Sequence, residues 1–90
     1  VNDGACMLLV MSAGKAKELG LKPLAKIVSH ASIGQDVPYL ATVPALATEK
    51  ALKKAGLSVK DLELMEINEA FAAVALKSIK MLGIDPEKVN

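Results

Sequence analysis

An unbroken apolar segment, Ala70 to Leu76, constrains the fold of this chain more than any other feature. It lies in a helix predicted over 69–82 and leaves the first two turns without a polar face. A helix that is apolar all round is buried all round, so we predict that it packs between two sheets. Ninety residues cannot surround it. The chain also opens on a turn sequence, Val1 to Gly4, and has no initiator methionine. These features indicate a piece of a longer protein.

Extended and helical patterns alternate along the rest of the chain. Apolar or alternating residues predict strands, and capping residues with glycine stops predict helices. The predicted order is strand 6–11, helix 12–18, strand 24–31, helix 44–55, strand 62–67 and helix 69–82, with a loop over 34–43. We expect Ser12 and Thr42 to cap the first two helices, and Gly20 and Gly56 to end them. About three strands and three helices in alternation predict a layered α/β fold.

Charge and hydropathy argue against two classes of partner. Eleven basic residues, all lysines, are balanced by ten acidic ones, and the net charge of +1 gives no electrostatic reason to expect nucleic acid or an anionic membrane. The longest apolar run, 5–11, is far shorter than the roughly 18 residues of a membrane-spanning helix. We therefore expect a soluble chain with neither nucleic acid nor a membrane as a partner.

The chain has one cysteine and one histidine, and neither is predicted to act in chemistry. Cys6 lies in an apolar run and is expected to be a small buried residue rather than a reactive thiolate. A single cysteine forms no internal disulfide, which fits a reducing compartment; we predict the cytoplasm and leave an organelle matrix open. His30 has no metal ligand near it at the usual spacing, so no metal site is expected.

The pair Asn68 and Glu69 lies where the last predicted strand changes into the apolar helix. Such junctions enclose binding crevices in open α/β sheets. A side-chain amide donates a hydrogen bond without titrating, which suits a site for transient negative charge. Two simpler roles stay open: Asn68 as a helix N-cap, and Glu69 as a carboxylate that stabilises the helix start. Glu66 and Glu69 are also a candidate acid/base pair.

Four blocks of the sequence match one family in order and spacing. They are 2–5 (NDGA), 22–29 (KPLAKIVS), 68–73 (NEAFAA) and 82–90 (LGIDPEKVN). At these residues the chain resembles the thiolases, of the acetyl-CoA acetyltransferase type, and the resemblance covers essentially all ninety positions. It implies a thiolase-like fold in which 1–22 end a first core domain and 23–90 form the first half of a second.

The resemblance also implies an activity, which is acyl transfer between CoA thioesters. This reaction forms or thiolytically cleaves a 3-ketoacyl-CoA such as acetoacetyl-CoA. Asn68 resembles the family residue that fixes a water in an oxyanion hole, while Ala70 and Phe71 would line the pantetheine channel with Val1 beside it. The family's nucleophilic cysteine, Gly-His-Pro motif and second cysteine are not in this sequence. The segment alone is therefore expected to be inactive.

The partners implied by the resemblance are CoA and acyl-CoA as substrates, with no separate cofactor and no metal. The remainder of a thiolase chain would pack against this segment, and the full protein would be a homodimer or homotetramer. A second hypothesis stays open: a non-catalytic module, derived from a thiolase, that serves binding or assembly.

Overall fold

The computed structural model describes residues 3–90, so Val1 lies outside the described residues. Within that range the α-helices are α1 (Ala13–Glu18), α2 (Val43–Ala55) and α3 (Ala72–Leu82). Three short 3₁₀ helices lie between or after them. Val37–Thr42 precedes α2, Val59–Asp61 follows α2, and Pro86–Lys88 follows α3. The three predicted α-helices are therefore confirmed, although α3 begins three residues later than predicted.

Three of the residues predicted to bound the first two helices have the expected geometry. The Ser12 hydroxyl accepts a hydrogen bond from the Lys15 amide at 3.1 Å and so caps α1. Gly20 and Gly56 follow α1 and α2 with φ of +65° and +69°. Glycine adopts this left-handed conformation without steric cost, which explains why both helices end there.

The start of α2 differs from its prediction. Thr42 precedes the helix, but its hydroxyl donates to the Tyr39 carbonyl at 2.7 Å and caps no amide of α2. Val37–Thr42 form a 3₁₀ helix where a loop was predicted, and this helix continues directly into α2. Thr42 therefore has helical backbone angles. An N-cap requires an extended backbone, so the prediction for Thr42 was wrong.

No β-strand forms within residues 3–90, so the prediction of about three strands was wrong for this chain. A strand exists only when its backbone groups pair with a neighbouring strand, and an apolar pattern does not supply that neighbour. In the third predicted strand, Met65 forms an isolated parallel bridge with Val89. Segments 6–11 and 24–31 have no regular pairing among the described residues.

The apolar segments without a partner are widely exposed. Met7 and Leu24 are 96% and 100% exposed, and Cys6, which was predicted to be buried, is exposed with them. The radius of gyration is 15.6 Å, against about 12 Å for a compact domain of this length. The accessible surface of 7747 Å² is roughly half as much again as the ~5,000 Å² of a folded monomer of this mass. Much apolar surface is therefore left without a covering layer.

A small core lies between α2, α3 and the residues after α3. Its buried centre is Ala45, Leu82 and Ile84. Half-buried side chains pack around this centre: Val59, Leu62, Met65, Ile79, Met81 and Val89. Ser78 of α3 is fully buried, and its hydroxyl donates to the carbonyl one turn back at 2.7 Å. Leu76 of the same helix is 67% exposed, so this chain covers α3 on one side only.

The isolated chain is expected to self-associate, because its exposed apolar segments and unpaired backbone groups are available to other copies. Sedimentation velocity should show species larger than the 9.4 kDa monomer. Lysine in place of Leu8 and Val10, which are 81% and 71% exposed, should reduce the association. A monodisperse monomer that unfolds cooperatively would contradict this expectation.

Asp61 and Ser58 form a capping box around the 3₁₀ helix Val59–Asp61. The Ser58 amide and hydroxyl donate to Asp61 Oδ2 at 2.7 and 2.8 Å. These bonds, the backbone one first, lower the pKa of the Asp61 carboxyl below its ordinary value of 3.8. Because the pKa of Asp61 is lower in the folded than in the unfolded chain, the ionised carboxylate stabilises the fold. This contribution to the free energy of unfolding is fully present above the unfolded pKa and is lost as the pH falls through the folded pKa.

An NMR titration of the Asp61 side-chain carboxyl is expected to give a midpoint below 3.8. The Ser58→Ala variant should raise that midpoint part of the way back, because the hydroxyl is lost and the amide remains. An unchanged midpoint in the variant would show that the hydroxyl does not contribute to the lowered pKa.

Candidate functional site

A short parallel ladder joins the segment before Asn68 to residues 88–90. The Met65 and Ile67 amides donate to the carbonyls of Lys88 and Asn90 at 2.8 and 3.0 Å. The Asn90 amide donates to the Met65 carbonyl at 2.9 Å. Helix α3 connects the two sides of this ladder. The ladder thus fixes the backbone that leads to the predicted site.

Side chains alternate between inward and outward positions along this segment. Met65 and Ile67 are half-buried, whereas Leu64, Glu66 and Asn68 are exposed. This period of two is that of an extended strand, in which residues two apart share a face. Glu66 and Asn68 therefore lie on the same outer face of the segment.

Asn68 is followed by a tight turn rather than by the helix itself. Its carbonyl accepts a hydrogen bond from the Ala70 amide at 2.9 Å, and Phe71 is extended, with φ −144° and ψ 142°. Helix α3 begins at Ala72, and Phe71 occupies the N-cap position without a side-chain bond. Asn68 is therefore no N-cap, and Glu69 lies outside the first helical turn. Both simpler structural roles were wrong.

Residues 3–90 do not cover the Asn68 side chain. It is exposed and makes no hydrogen bond to the described residues 3–90. Ala70 and Phe71 are also exposed, Phe71 to 65%. Within four residues the turn therefore exposes one amide, the Glu69 carboxylate and two apolar side chains. Val1 lies outside the described residues.

Glu66 bonds to a residue that the sequence pattern did not identify. The Asn90 side-chain amide donates to both carboxylate oxygens of Glu66, at 3.1 and 3.2 Å. The two residues are 24 positions apart, and only the register of the ladder brings them together. Glu66 and Glu69 share no hydrogen bond, so the structure does not join them into an acid/base pair.

The histidine of the chain shares no hydrogen bond with this turn. His30 is exposed, and its backbone carbonyl accepts a hydrogen bond from Lys54 Nζ at 3.1 Å.

Residues 3–90 contain no group of three or more His, Cys, Asp or Glu side chains that could hold a metal ion. No helix in the same range is long and apolar enough to cross a membrane.

Two shallow grooves occur on the described surface, and neither includes the Asn68 turn. One, of about 260 Å³, lies between the 3₁₀ helix Val59–Asp61 and the end of α3. The other, of about 350 Å³, lies between Val28, Ser29 and the apolar face of α2. Among the described residues, the Asn68 turn is exposed and lines neither of these two grooves.

Comparison with known proteins identifies the family. The model of the thiolase C-terminal domain matches residues 21–90. The chain belongs to the thiolase family. An acetyl-CoA acetyltransferase of Schizosaccharomyces pombe is 53% identical over 90 residues, which is the whole of this chain and 23% of that protein. A cytosolic acetyl-CoA acetyltransferase of Gibberella zeae is 47% identical over 90 residues, again all of this chain and 23% of that protein.

The thiolase fold is supported by a solved structure as well. The crystal structure of the Bacillus anthracis acetyl-CoA acetyltransferase matches with a TM-score of 0.83 and 50% identity. The match covers 89% of this chain and 20% of that structure. This chain thus spans about a quarter of the length of its thiolase relatives.

Proposed function

We propose that these residues are part of a thiolase that transfers acyl groups between CoA thioesters. The reaction would form or thiolytically cleave a 3-ketoacyl-CoA such as acetoacetyl-CoA. The observation that carries this proposal is the exposed Asn68 amide, which has no hydrogen-bond partner among residues 3–90, in a chain of the thiolase family. The relatives that are named acetyl-CoA acetyltransferases support the substrate class.

The role proposed for Asn68 is to donate a hydrogen bond to a water in an oxyanion hole. Negative charge develops on the thioester oxygen during acyl transfer, and fixed donors that face this oxygen lower the barrier. An amide donor stays neutral at every pH of interest, so its contribution does not depend on its protonation. The backbone ladder before Asn68 holds this donor in place from one side.

Ala70 and Phe71 are proposed to form a wall of the channel for the pantetheine arm of CoA, with Val1 beside it. Phe71 exposes 65% of its surface directly after the Asn68 turn. Burial of such surface against a ligand is favourable by about 25 cal/mol per Å² of apolar area removed from water. CoA thioesters are substrates in this proposal, and it requires no further cofactor and no metal.

The remaining catalytic groups are proposed to come from the rest of a thiolase chain. Covalent acyl transfer requires an activated thiolate, and we assign no nucleophilic role to Cys6, which lies in the exposed apolar segment. The uncovered side of α3 and the large accessible surface support packing against further thiolase chain. We place residues 1–22 at the end of a first core domain and 23–90 in a second. We also propose that the full protein is a homodimer or homotetramer in the cytoplasm.

A chimeric enzyme tests the proposed function. In the segment chimera, the ninety residues of this chain replace the aligned residues of the Schizosaccharomyces pombe acetyl-CoA acetyltransferase. We expect the segment chimera to catalyse acetoacetyl-CoA thiolysis, and the isolated chain and the host without this segment to show none. The unmodified host enzyme is the positive control.

Two outcomes would contradict the proposal. Substantial thiolysis by the isolated chain would show that no nucleophile is missing from it. A segment chimera that folds, binds CoA and has no activity would favour the alternative of a non-catalytic module for binding or assembly.

A further inference from the structure

Asn90 binds the segment before Asn68 through three of its polar groups. Its backbone amide donates to the Met65 carbonyl, and its backbone carbonyl accepts from the Ile67 amide. Its side-chain amide donates to both oxygens of Glu66 at 3.1 and 3.2 Å. A hydrogen bond to an ionised carboxylate is stronger than one between neutral groups. The backbone and one side chain of the segment are thus held by the same residue.

The Glu66 carboxylate lies on the same face as the Asn68 amide. Residues two apart on an extended segment are separated by roughly 6.6 Å, and both side chains are exposed on the outer side of the ladder. Among residues 3–90, the contact between Glu66 and Asn90 is therefore the last side-chain hydrogen bond before Asn68. Its loss would free the outer face of the segment beside the proposed donor.

The opposite side of Asn68 offers little to hold it. Helix α3 has no side-chain cap at its start. The turn itself contains the bond from the Ala70 amide to the Asn68 carbonyl at 2.9 Å, and the next bond, from Val74 to Phe71 at 2.9 Å, belongs to the helix. The position of Asn68 consequently depends on the ladder that precedes it.

We propose that Glu66 and Asn90 are positioning residues that hold Asn68 in the geometry needed for acyl transfer. This inference rests on the proposed function. Neither residue touches the reacting atoms; they act through the backbone and the shared face of the segment. A displacement of about 1 Å at a catalytic group can lower a rate a hundredfold.

Substitutions in the segment chimera separate this role from simple folding support. Glu66→Ala and Asn90→Ala should each lower kcat by about tenfold to a hundredfold, with a smaller change in KM for CoA because the pantetheine wall remains. Glu66→Gln should retain activity, since its side-chain carbonyl still accepts from Asn90. Glu63→Ala is the matched control: Glu63 is also exposed on this segment but makes no side-chain hydrogen bond among residues 3–90.

A charge exchange provides the reciprocal test. Asn90→Asp places a second carboxylate against Glu66 and should lower kcat more than Asn90→Ala, because like charges repel at this distance. In the double variant Glu66→Gln with Asn90→Asp, the new glutamine amide can donate to the new aspartate carboxylate. This double variant should recover much of the activity. In a background of Asn68→Ala, the Glu66→Ala substitution should have little further effect, since both act on one donor.

The results distinguish this inference from the proposed function. If Asn68→Ala lowers kcat while Glu66→Ala and Asn90→Ala do not, the positioning role is wrong and the proposed function stands. If Asn68→Ala itself leaves kcat unchanged, the proposed function and the positioning role both fail. Equal losses in Glu66→Gln and Glu66→Ala would also overturn the positioning role, because a neutral acceptor would then be insufficient.

Discussion

Asn68→Ala in the segment chimera is expected to lower kcat for acetoacetyl-CoA thiolysis by about a hundredfold to a thousandfold, or roughly 3–4 kcal/mol in the barrier. Removal of the amide takes away the donor that would hold a water against the developing oxyanion. KM should change much less, because the donor acts mainly in the transition state. Steady-state kinetics over a range of acetoacetyl-CoA and CoA concentrations separates the two constants.

The folded structure should not respond to this substitution. The Asn68 side chain bonds to none of residues 3–90, so the substitution breaks no hydrogen bond within the segment, and the circular dichroism spectrum of the chimera should stay unchanged. Asn68→Asp is the isosteric control: its ionised carboxylate accepts but does not donate, and it should reduce kcat at least as much. A kcat for Asn68→Ala within a factor of about three of the parent would contradict an oxyanion role.

Leu76→Ala is expected to destabilise the segment chimera by about 2–5 kcal/mol, which is typical of a buried leucine. In the present chain Leu76 is 67% exposed, so local contacts alone predict a small effect. The large effect follows if α3 is covered on all sides in the complete thiolase, as its apolar sequence predicts. Chemical denaturation of the chimera measures the loss.

Two substitutions on the same helix calibrate this result. Leu82→Ala removes the same atoms from a residue that is already 8% exposed in this chain, and it should cost a similar amount. Lys77→Ala removes an exposed charged side chain and should change stability by less than about 0.5 kcal/mol. If Leu76→Ala behaves like Lys77→Ala, α3 is not enclosed in the complete protein.

Helix boundaries were predictable where short-range chemistry sets them. Ser12, Gly20 and Gly56 act through bonds and backbone angles within a few residues, and each was found where the sequence placed it. Thr42 failed the same reasoning because a 3₁₀ helix occupies the preceding turn. The start of α3 was predicted three residues early, because the extended Phe71 interrupts a run that has strong helical composition.

Sheet structure was not predictable at the same level. The segments 6–11 and 24–31 have the apolar pattern of strands, but an apolar pattern does not supply a neighbouring strand, and none pairs with them among residues 3–90. The bond between Glu66 and Asn90 was missed for a related reason, since it depends on the register between two segments 24 residues apart. The family resemblance, by contrast, depended on four short blocks of adjacent residues, including the one at Asn68, and the match to the thiolase C-terminal domain confirmed it.

A crystal structure of the segment chimera with a bound acyl-CoA tests the central claim most directly. We expect the Asn68 amide at about 3 Å from an ordered water that also contacts the thioester oxygen, with Ala70 and Phe71 against the pantetheine arm. Glu66 and Asn90 should keep the contact seen in this chain. A structure in which Asn68 points away from the thioester, with another donor beside that oxygen, would contradict the role proposed for this residue.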